Sequence, residues 1–551
     1  MAVTEPKPAV KANANDSERG SVAVAAVIFA LGTLLSRVLG LVRDSMTARY
    51  FPNDVRDAFF NAFRLPNLFR RLLGEGSLSI SFIPIFIEIL TGREGGSKTE
   101  IEQRAKELVG AVFTLLLSLT TTISILAVLY MDEILGFILS GEAYQSIPGK
   151  FEMTVRLGRI MFGFLILISM YAFFMAIQNS MKKFAMTALA PCFFNLAMIV
   201  AALVSPKVAA AEDVLAWAVI AGGFLQMVVL VPGVVRAGYF PRPNFRWNAP
   251  DVMRVLKAIL PSIFGMSVMQ ITAIVNMHFT SQLPSGSQSY LYFADRILEL
   301  PLSMFVVSVG TALLPTLAKF HAEGNREAMS DTINHYIRLI LFVALPAAVG
   351  MFVLAQPIVD VLFLGREFKY NDAVATAQVI QVYSFTVIIA AGVRILAQGF
   401  YAVQNTWFPA LAGGVALCSH IIFAIALTRT FGLNGLAAAS LCSATVNMLM
   451  LATAYRAWIG TLQLKTLLKR TFLFVICAAV MFGVLSMHSY LVHFFGARLY
   501  AKAFALMLII FLGGLSYMGM AHILRIPEYS ETSAMFLGKV TNRLKRFKKR
   551  S

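Results

Sequence analysis

The sequence predicts an all-α polytopic membrane protein, and three observations carry that prediction. Of its 551 residues, 58% are hydrophobic, against roughly 45–50% in a soluble domain. Only 14% are charged, about half the usual share. Long apolar runs then recur along the whole chain, each near the roughly 20 residues a spanning helix needs. The formal net charge is +18. In a soluble chain that would suggest nucleic acid. Here basic residues gathered in cytoplasmic loops account for it, so no nucleic-acid partner is expected.

Residues 1–20, "MAVTEPKPAVKANANDSERG", are polar and read as a disordered cytoplasmic tail. About fourteen spans follow: 22–50, 57–90, 107–130, 154–180, 184–205, 212–235, 252–282, 288–319, 334–357, 374–403, 407–430, 434–456, 470–492 and 499–522. The first has no clean small-residue cleavage site and is expected to be retained. The first, second, seventh and eighth are the least uniform, so bends are expected there. Cys192, Cys418, Cys442 and Cys477 lie in apolar runs without a C-x-x-C pair and read as core residues. The histidines show no ligand spacing, and no metal or cofactor is expected.

Loop charge sets the orientation. With the N-terminus inside, the cytoplasmic loops hold Arg93, Lys98, Arg104 and Lys106, then Lys182 and Lys183. Further along come Arg236, Arg242, Arg246, Arg254 and Lys257, then Arg456, Lys465, Lys469 and Arg470. The outer loops hold little beyond Lys150 and Lys207. Both termini are therefore expected in the cytoplasm. The basic tail 524–551 anchors that topology or touches anionic membrane lipid.

The chain also repeats. "AIQNSMKKFAMTALA" at 176–190 resembles "AVQNTWFPALAG" at 402–413. "LQMVVL" at 225–230 resembles "VNMLML" at 446–451, and "SFIPIF" at 81–86 resembles "ALLPTL" at 312–317. The offsets are about 220–230 residues, enough for six spans. An even number keeps both copies in one orientation, so two parallel six-helix lobes are expected, 21–236 and 237–457. Such lobes hold substrate near the membrane midplane. Two extra helices, in 458–523, lie outside the repeat.

Span 1 contains "TLLSRVLGLVRDSMTARYF", residues 33–51, with Arg37, Arg43 and Asp44 inside it. On a helix, Gly32, Thr33, Ser36, Arg37, Gly40, Arg43, Asp44, Thr47 and Ala48 share one arc of roughly 160°. Leu34, Leu35, Val38, Leu39, Leu41, Val42 and Met46 fall opposite. Ser45 and Arg49 are exceptions. Ionisable residues in spans usually face a bundle interior or watery cavity. A buried Arg–Asp pair that only fixes packing is the plainer alternative. The surplus of arginine speaks against it.

Span 2, "DAFFNAFRLPNLFRRLLGEGSLSISFIPIF", adds Asp57, Arg64, Asn67, Arg70, Arg71 and Glu75. Pro66 and the Gly74-Glu75-Gly76 stretch should bend or break it. One of Arg70 and Arg71 faces the cavity and the other can snorkel to headgroups. In span 8, Ser289, Tyr292, Asp295, Arg296 and Glu299 lie on or near one stripe, and Thr272, Asn276 and Thr280 form a polar line on span 7. Several guanidiniums suit an anionic, phosphorylated ligand, since arginine grips phosphate bidentately and keeps its charge.

"SRVLGLVRD", the span 2 motif, "YFADRILELP" and "GTALLPTLAK" resemble the lipid II flippase family of the multidrug/oligosaccharidyl-lipid/polysaccharide exporter superfamily, over about residues 22–525. The resemblance implies movement of undecaprenyl-pyrophosphate-linked disaccharide-pentapeptide across the bacterial inner membrane for peptidoglycan synthesis, with cell-wall synthesis machinery as a possible partner. It implies that Arg37, Arg43, Arg70 and Arg296 are cavity arginines. It sets Asp44, Asp57, Asn67, Glu75 and Asp295 at matching motif positions, and gives the last two helices a groove for the polyprenyl tail. Pro52 departs from the family's usual glycine. No buried carboxylate in span 7 or 11 offers a coupling-cation site, and His420 reads as a packed polar residue.

Rival readings are a drug or lipid-linked sugar exporter of the same superfamily, a membrane enzyme acting on polyprenyl phosphates, and a scaffold. The enzyme would need paired acids for Mg²⁺, and no Asp-Asp pair or loop D-x-x-D is present. No Walker A pattern occurs either, so no ATPase activity is expected.

Overall fold

The computed structural model describes residues 10–72, 78–93, 95–303, 307–496, 498–531 and 533. All the regular structure among them is helical. In chain order the first helices are α1 (Val10–Tyr50), α2 (Asn53–Phe69), α3 (Leu78–Leu90), α4 (Lys98–Leu129), α5 (Met131–Ile138), α6 (Glu142–Gln145) and α7 (Lys150–Met161). Next come α8 (Phe164–Ser180), α9 (Ala185–Val204), α10 (Ala211–Val228), α11 (Val231–Arg236) and α12 (Pro250–Ser281). Then follow α13 (Ser287–Pro301), α14 (Val307–Ala322), α15 (Arg326–Val353), α16 (Ala355–Leu362) and α17 (Tyr370–Ala402). The chain closes with α18 (Trp407–Trp458), α19 (Leu464–Leu485), α20 (His488–Phe495) and α21 (Leu499–Ile523).

Among the described residues, nine helical segments are long and apolar enough to cross a membrane. One of them, α18, has 52 residues and bends at Gly432, where φ is 57°. That backbone region favours glycine. A Cβ at Gly435 would stand 2.0 Å from the Leu427 carbonyl oxygen, so the bend closes only with glycine there. The expected spans 11 and 12 flank this bend. The charged helices α1, α2 with α3, α12, and α13 with α14 fall outside the nine. They are the first, second, seventh and eighth expected spans.

Helix α1 starts at Val10, so residues 10–20 are helical and not the disordered tail expected. After Pro8 this stretch carries Ala, Lys, Glu and Arg, all good helix formers, and no breaker before Gly20. Helix α4 starts earlier than the expected span because Ser97 and Glu100 form a capping box.

The contacts divide the chain into two compact units, Met1–Ile271 and Thr272–Ser551. The division falls inside α12, not in the loop before it, because the first turns of α12 bond to the first unit. Arg104 of α4 grips Asp251 through two bonds of 2.6 and 2.8 Å, and Arg254 donates to Glu88 of α3 at 2.6 Å. The last turns of α12 belong to the second unit.

Within the first unit, α8 contacts α3, α4 and α10, while α7 contacts α2. Within the second unit, α17 contacts α13, α14, α15 and α18. The fourth expected span of each half is thus the hub of its unit, a shared pattern that fits the sequence repeat. Helices α19 and α21 pack on each other and on α15. Phe342, Phe474, Cys477 and Tyr517 are buried there, and Tyr517 donates to the Phe342 carbonyl at 2.9 Å.

The expected break of span 2 at 74–76 lies outside the described residues. Just before it, residues 70–72 form a π-helical turn after Pro66. Span 8 repeats this with π-helical residues 302–303 after Pro301. π-turns inside helices often mark functional sites.

Candidate functional site

Helix α1 makes its most extensive contacts with α9. Close approach at one end depends on Gly32, where a Cβ would stand 2.9 Å from the Ala188 Cβ. Gly32, Gly40, Asp44, Thr47 and Ala48 are buried, while Leu31, Leu34, Leu35, Val38 and Val42 are exposed. The small side of the predicted arc is therefore a helix-packing surface. Arg37, on the same arc, is exposed.

Arg43 is held on several sides. Its Nη2 and Nε donate to Asp44 Oδ1 at 2.7 and 3.0 Å. Its Nη1 donates to Asn195 Oδ1 of α9 at 3.2 Å. Its Cζ lies 5.9 Å from the centroid of the Phe194 ring. Phe194 in turn meets Phe63 of α2 and Phe164 of α8 at centroid distances of 6.3 and 5.5 Å. So Arg43 and Asp44 form an ion pair of the kind the arginine surplus spoke against, and Asn195 of a neighbouring helix joins it.

Asp57 belongs to a different cluster. Lys150, only 1% exposed, sits 3.1 Å from Asp57 Oδ2 and 2.9 Å from Asp54 Oδ1. Its Nζ also lies 4.7 Å from the Tyr144 ring centroid. Burial pushes the Tyr144 phenol above its usual range, and its hydroxyl bonds Thr154 at 2.6 Å. Lys150 is the first residue of α7, after Gly149 in a left-handed conformation with φ 75°. A lone lysine in an outer loop gave no sequence signal for this role.

Further along α2, Arg70 Nε donates to Asn67 Oδ1 at 2.8 Å. Arg70 is half-buried and Arg71 exposed. Arg64 is half-buried too. Glu75 lies outside the described residues.

In the second unit, Asp295 and Arg296 are half-buried on α13, and Arg296 Nη1 lies 3.4 Å from Glu299 Oε2. Arg394 of α17 comes within electrostatic reach of Glu299. It was missed because a single arginine interrupts an otherwise apolar span there. Thr280 donates to Gln288 Oε1 at 2.6 Å, and Asn276 bonds His420 Nε2 at 2.8 Å. His420 is 1% exposed, a packed polar residue. Tyr290 donates to Asp372 in the first turn of α17.

A helical chain with nine segments apolar and long enough to span a membrane among its described residues, and with arginines on α1, α2 and α13, is a polytopic membrane protein. The family model for "Lipid II flippase MurJ" matches residues 48–524, which begins just after Arg37, Arg43 and Asp44. A probable lipid II flippase MurJ of Bdellovibrio bacteriovorus is 37% identical over 514 residues, covering 93% of this chain and 97% of that protein. The lipid II flippase MurJ of Burkholderia cenocepacia is 34% identical, covering 71% and 75%. The chain belongs to the lipid II flippase MurJ family.

Solved structures agree on the fold. A lipid II flippase MurJ in an inward closed conformation aligns with a TM-score of 0.72 at 23% identity, over 90% of this chain and 98% of that one. An inward-facing multidrug resistance MATE transporter aligns with a TM-score of 0.65 at 14% identity, over 81% and 99%.

Proposed function

We propose that this chain moves lipid II from the cytoplasmic to the outer leaflet of the inner membrane. The observation that carries this reading is the family match over residues 48–524, supported by relatives similar along nearly the full chain. The span count follows from the same reading. The nine apolar segments, with α18 counted twice for its bend, give ten passes, and the four charged helical segments complete fourteen. Both termini then lie in the cytoplasm, by the loop charges.

The chemistry of transport rests on arginine. Arg37, Arg43 and Arg70 are the phosphate-gripping candidates of the first lobe and Arg296 that of the second, since arginine meets phosphate bidentately. Asn67 sets the Arg70 guanidinium, and Asp44 sets that of Arg43. Alternating access follows if the two opposed states differ in their contacts to the headgroup. The polyprenyl tail stays in the membrane beside α19 and α21.

The test is depletion of the resident flippase followed by an assay of lipid II on the outer leaflet, with this chain supplied. Restored outer exposure is expected; unchanged exposure overturns the proposal. The fold's likeness to a MATE transporter favours a second reading, export of a drug or another lipid-linked sugar. That activity would survive removal of the arginines.

A further inference from the structure

We propose that Asn195 is a positioning residue that holds the Arg43 guanidinium in the plane it needs to grip a pyrophosphate. The inference rests on the reading of Arg43 given above.

Helix α9 carries no charged residue, and Asn195 is its one carboxamide. The side chain is buried, at 6% exposure. Burying an amide without partners is costly, so its placement needs a reason. Both ends of the amide are used. Oδ1 accepts from Arg43 Nη1 at 3.2 Å, and Nδ2 donates to the Ser36 carbonyl at 2.9 Å.

The chemistry decides which way round the amide sits. A guanidinium only donates and a carbonyl oxygen only accepts. One orientation satisfies both, and a flipped amide satisfies neither. Asn195 therefore ties two points on α1 together. One is the backbone immediately before Arg37, and the other is the head of Arg43 seven residues later. Arginine side chains on a helix lean back towards its N-terminus, which brings that head within reach.

The plane of Arg43 is then fixed from independent directions. Asp44 takes Nε and Nη2, Asn195 takes Nη1, and Phe194 lies against the group at 5.9 Å. Phe194 cannot retreat. A Cβ at Gly222 of α10 would stand 2.8 Å from its ring, and Phe164 packs against it at 5.5 Å. An asparagine that served only to join α1 and α9 would need Ser36 and not Arg43. A planar, two-pronged grip on phosphate depends on the orientation of the fork.

The test uses the full chain in detergent, with undecaprenyl pyrophosphate as the probe and thermophoresis as the readout. Arg43→Gln should weaken binding. Asn195→Leu should weaken it about tenfold, the scale of one charge-assisted hydrogen bond. Arg43→Gln with Asn195→Leu should be no weaker than Arg43→Gln alone, since Asn195 acts through Arg43. Should Asn195→Leu not reach the membrane, Asn195→Ser is read by the same criteria.

The inference is overturned if Asn195→Leu binds as the parent does while Arg43→Gln is impaired. It is equally overturned if the two losses add. If Arg43→Gln itself binds normally, the pyrophosphate reading fails and takes the inference with it.

Discussion

Arg43, half-buried, and Lys150, buried, show two fates for a cation among packed helices. Arg43 is held through Nε and Nη2 by Asp44 and through Nη1 by Asn195. Lys150 is spent on Asp54 and Asp57, with the Tyr144 ring over it. Replacing Arg37, Arg43 or Arg296 by Ala should therefore abolish rescue of flippase-depleted cells, while an immunoblot of membranes still finds the protein. Leu39→Ala, off the polar arc, should rescue normally. Normal rescue by all three arginine variants overturns the pyrophosphate model. Lys150→Met removes the cation that stands 3.1 Å from the buried Asp57. A cost of about 3 kcal/mol or more follows, read as a lower unfolding temperature in detergent. Adding Asp57→Asn should recover part of that loss.

Elements meet where side chains are missing. Helix α9 is approached from one side by Gly32 of α1 and from another by Gly222 of α10. At Gly222 a Cβ would also stand 3.1 Å from the Phe194 Cα, so backbone, not a flexible side chain, is in the way. Small residues at such crossings let membrane helices pack closely when the hydrophobic effect cannot drive them together. Gly32→Val and Gly222→Val should each lower the unfolding temperature, overpacking costing about 1–3 kcal/mol. Gly519→Val in α21, where a Cβ meets open space, is the control that should not.

Over the whole molecule, α12 is the element both units claim. Its first turns are tied to the first unit by Arg104, Asp251, Arg254 and Glu88. Its last turns bond within the second unit through Asn276 and Thr280. Those ion pairs fix the first turns of α12 to α3 and α4. Arg104→Asp sets two acids against each other and should impair rescue of flippase-depleted cells. Arg104→Asp combined with Asp251→Arg restores the pair with reversed charges and should regain most of the growth. No recovery in the double variant would remove the pair from this role.

The sequence by itself determined the membrane class, the repeat and most of the helix ends. Those depend on local hydropathy, turn residues and charge, all of which are read along one chain. It also placed Arg37, Arg43 and Asp44 on one arc of α1, because residues of one helix are geometrically tied. It marked α1, α2, α12 and α13 as the charged helices for the same reason. Only the tertiary structure decided what crosses between helices. It brought Asn195 to Arg43 across 152 positions and Lys150 to Asp57 across 93. It turned the small side of the α1 arc onto α9, and it divided α12 between two units. A periodic pattern tells which residues share a face. Which partner that face meets is set by packing, and packing appears only when the chain is folded.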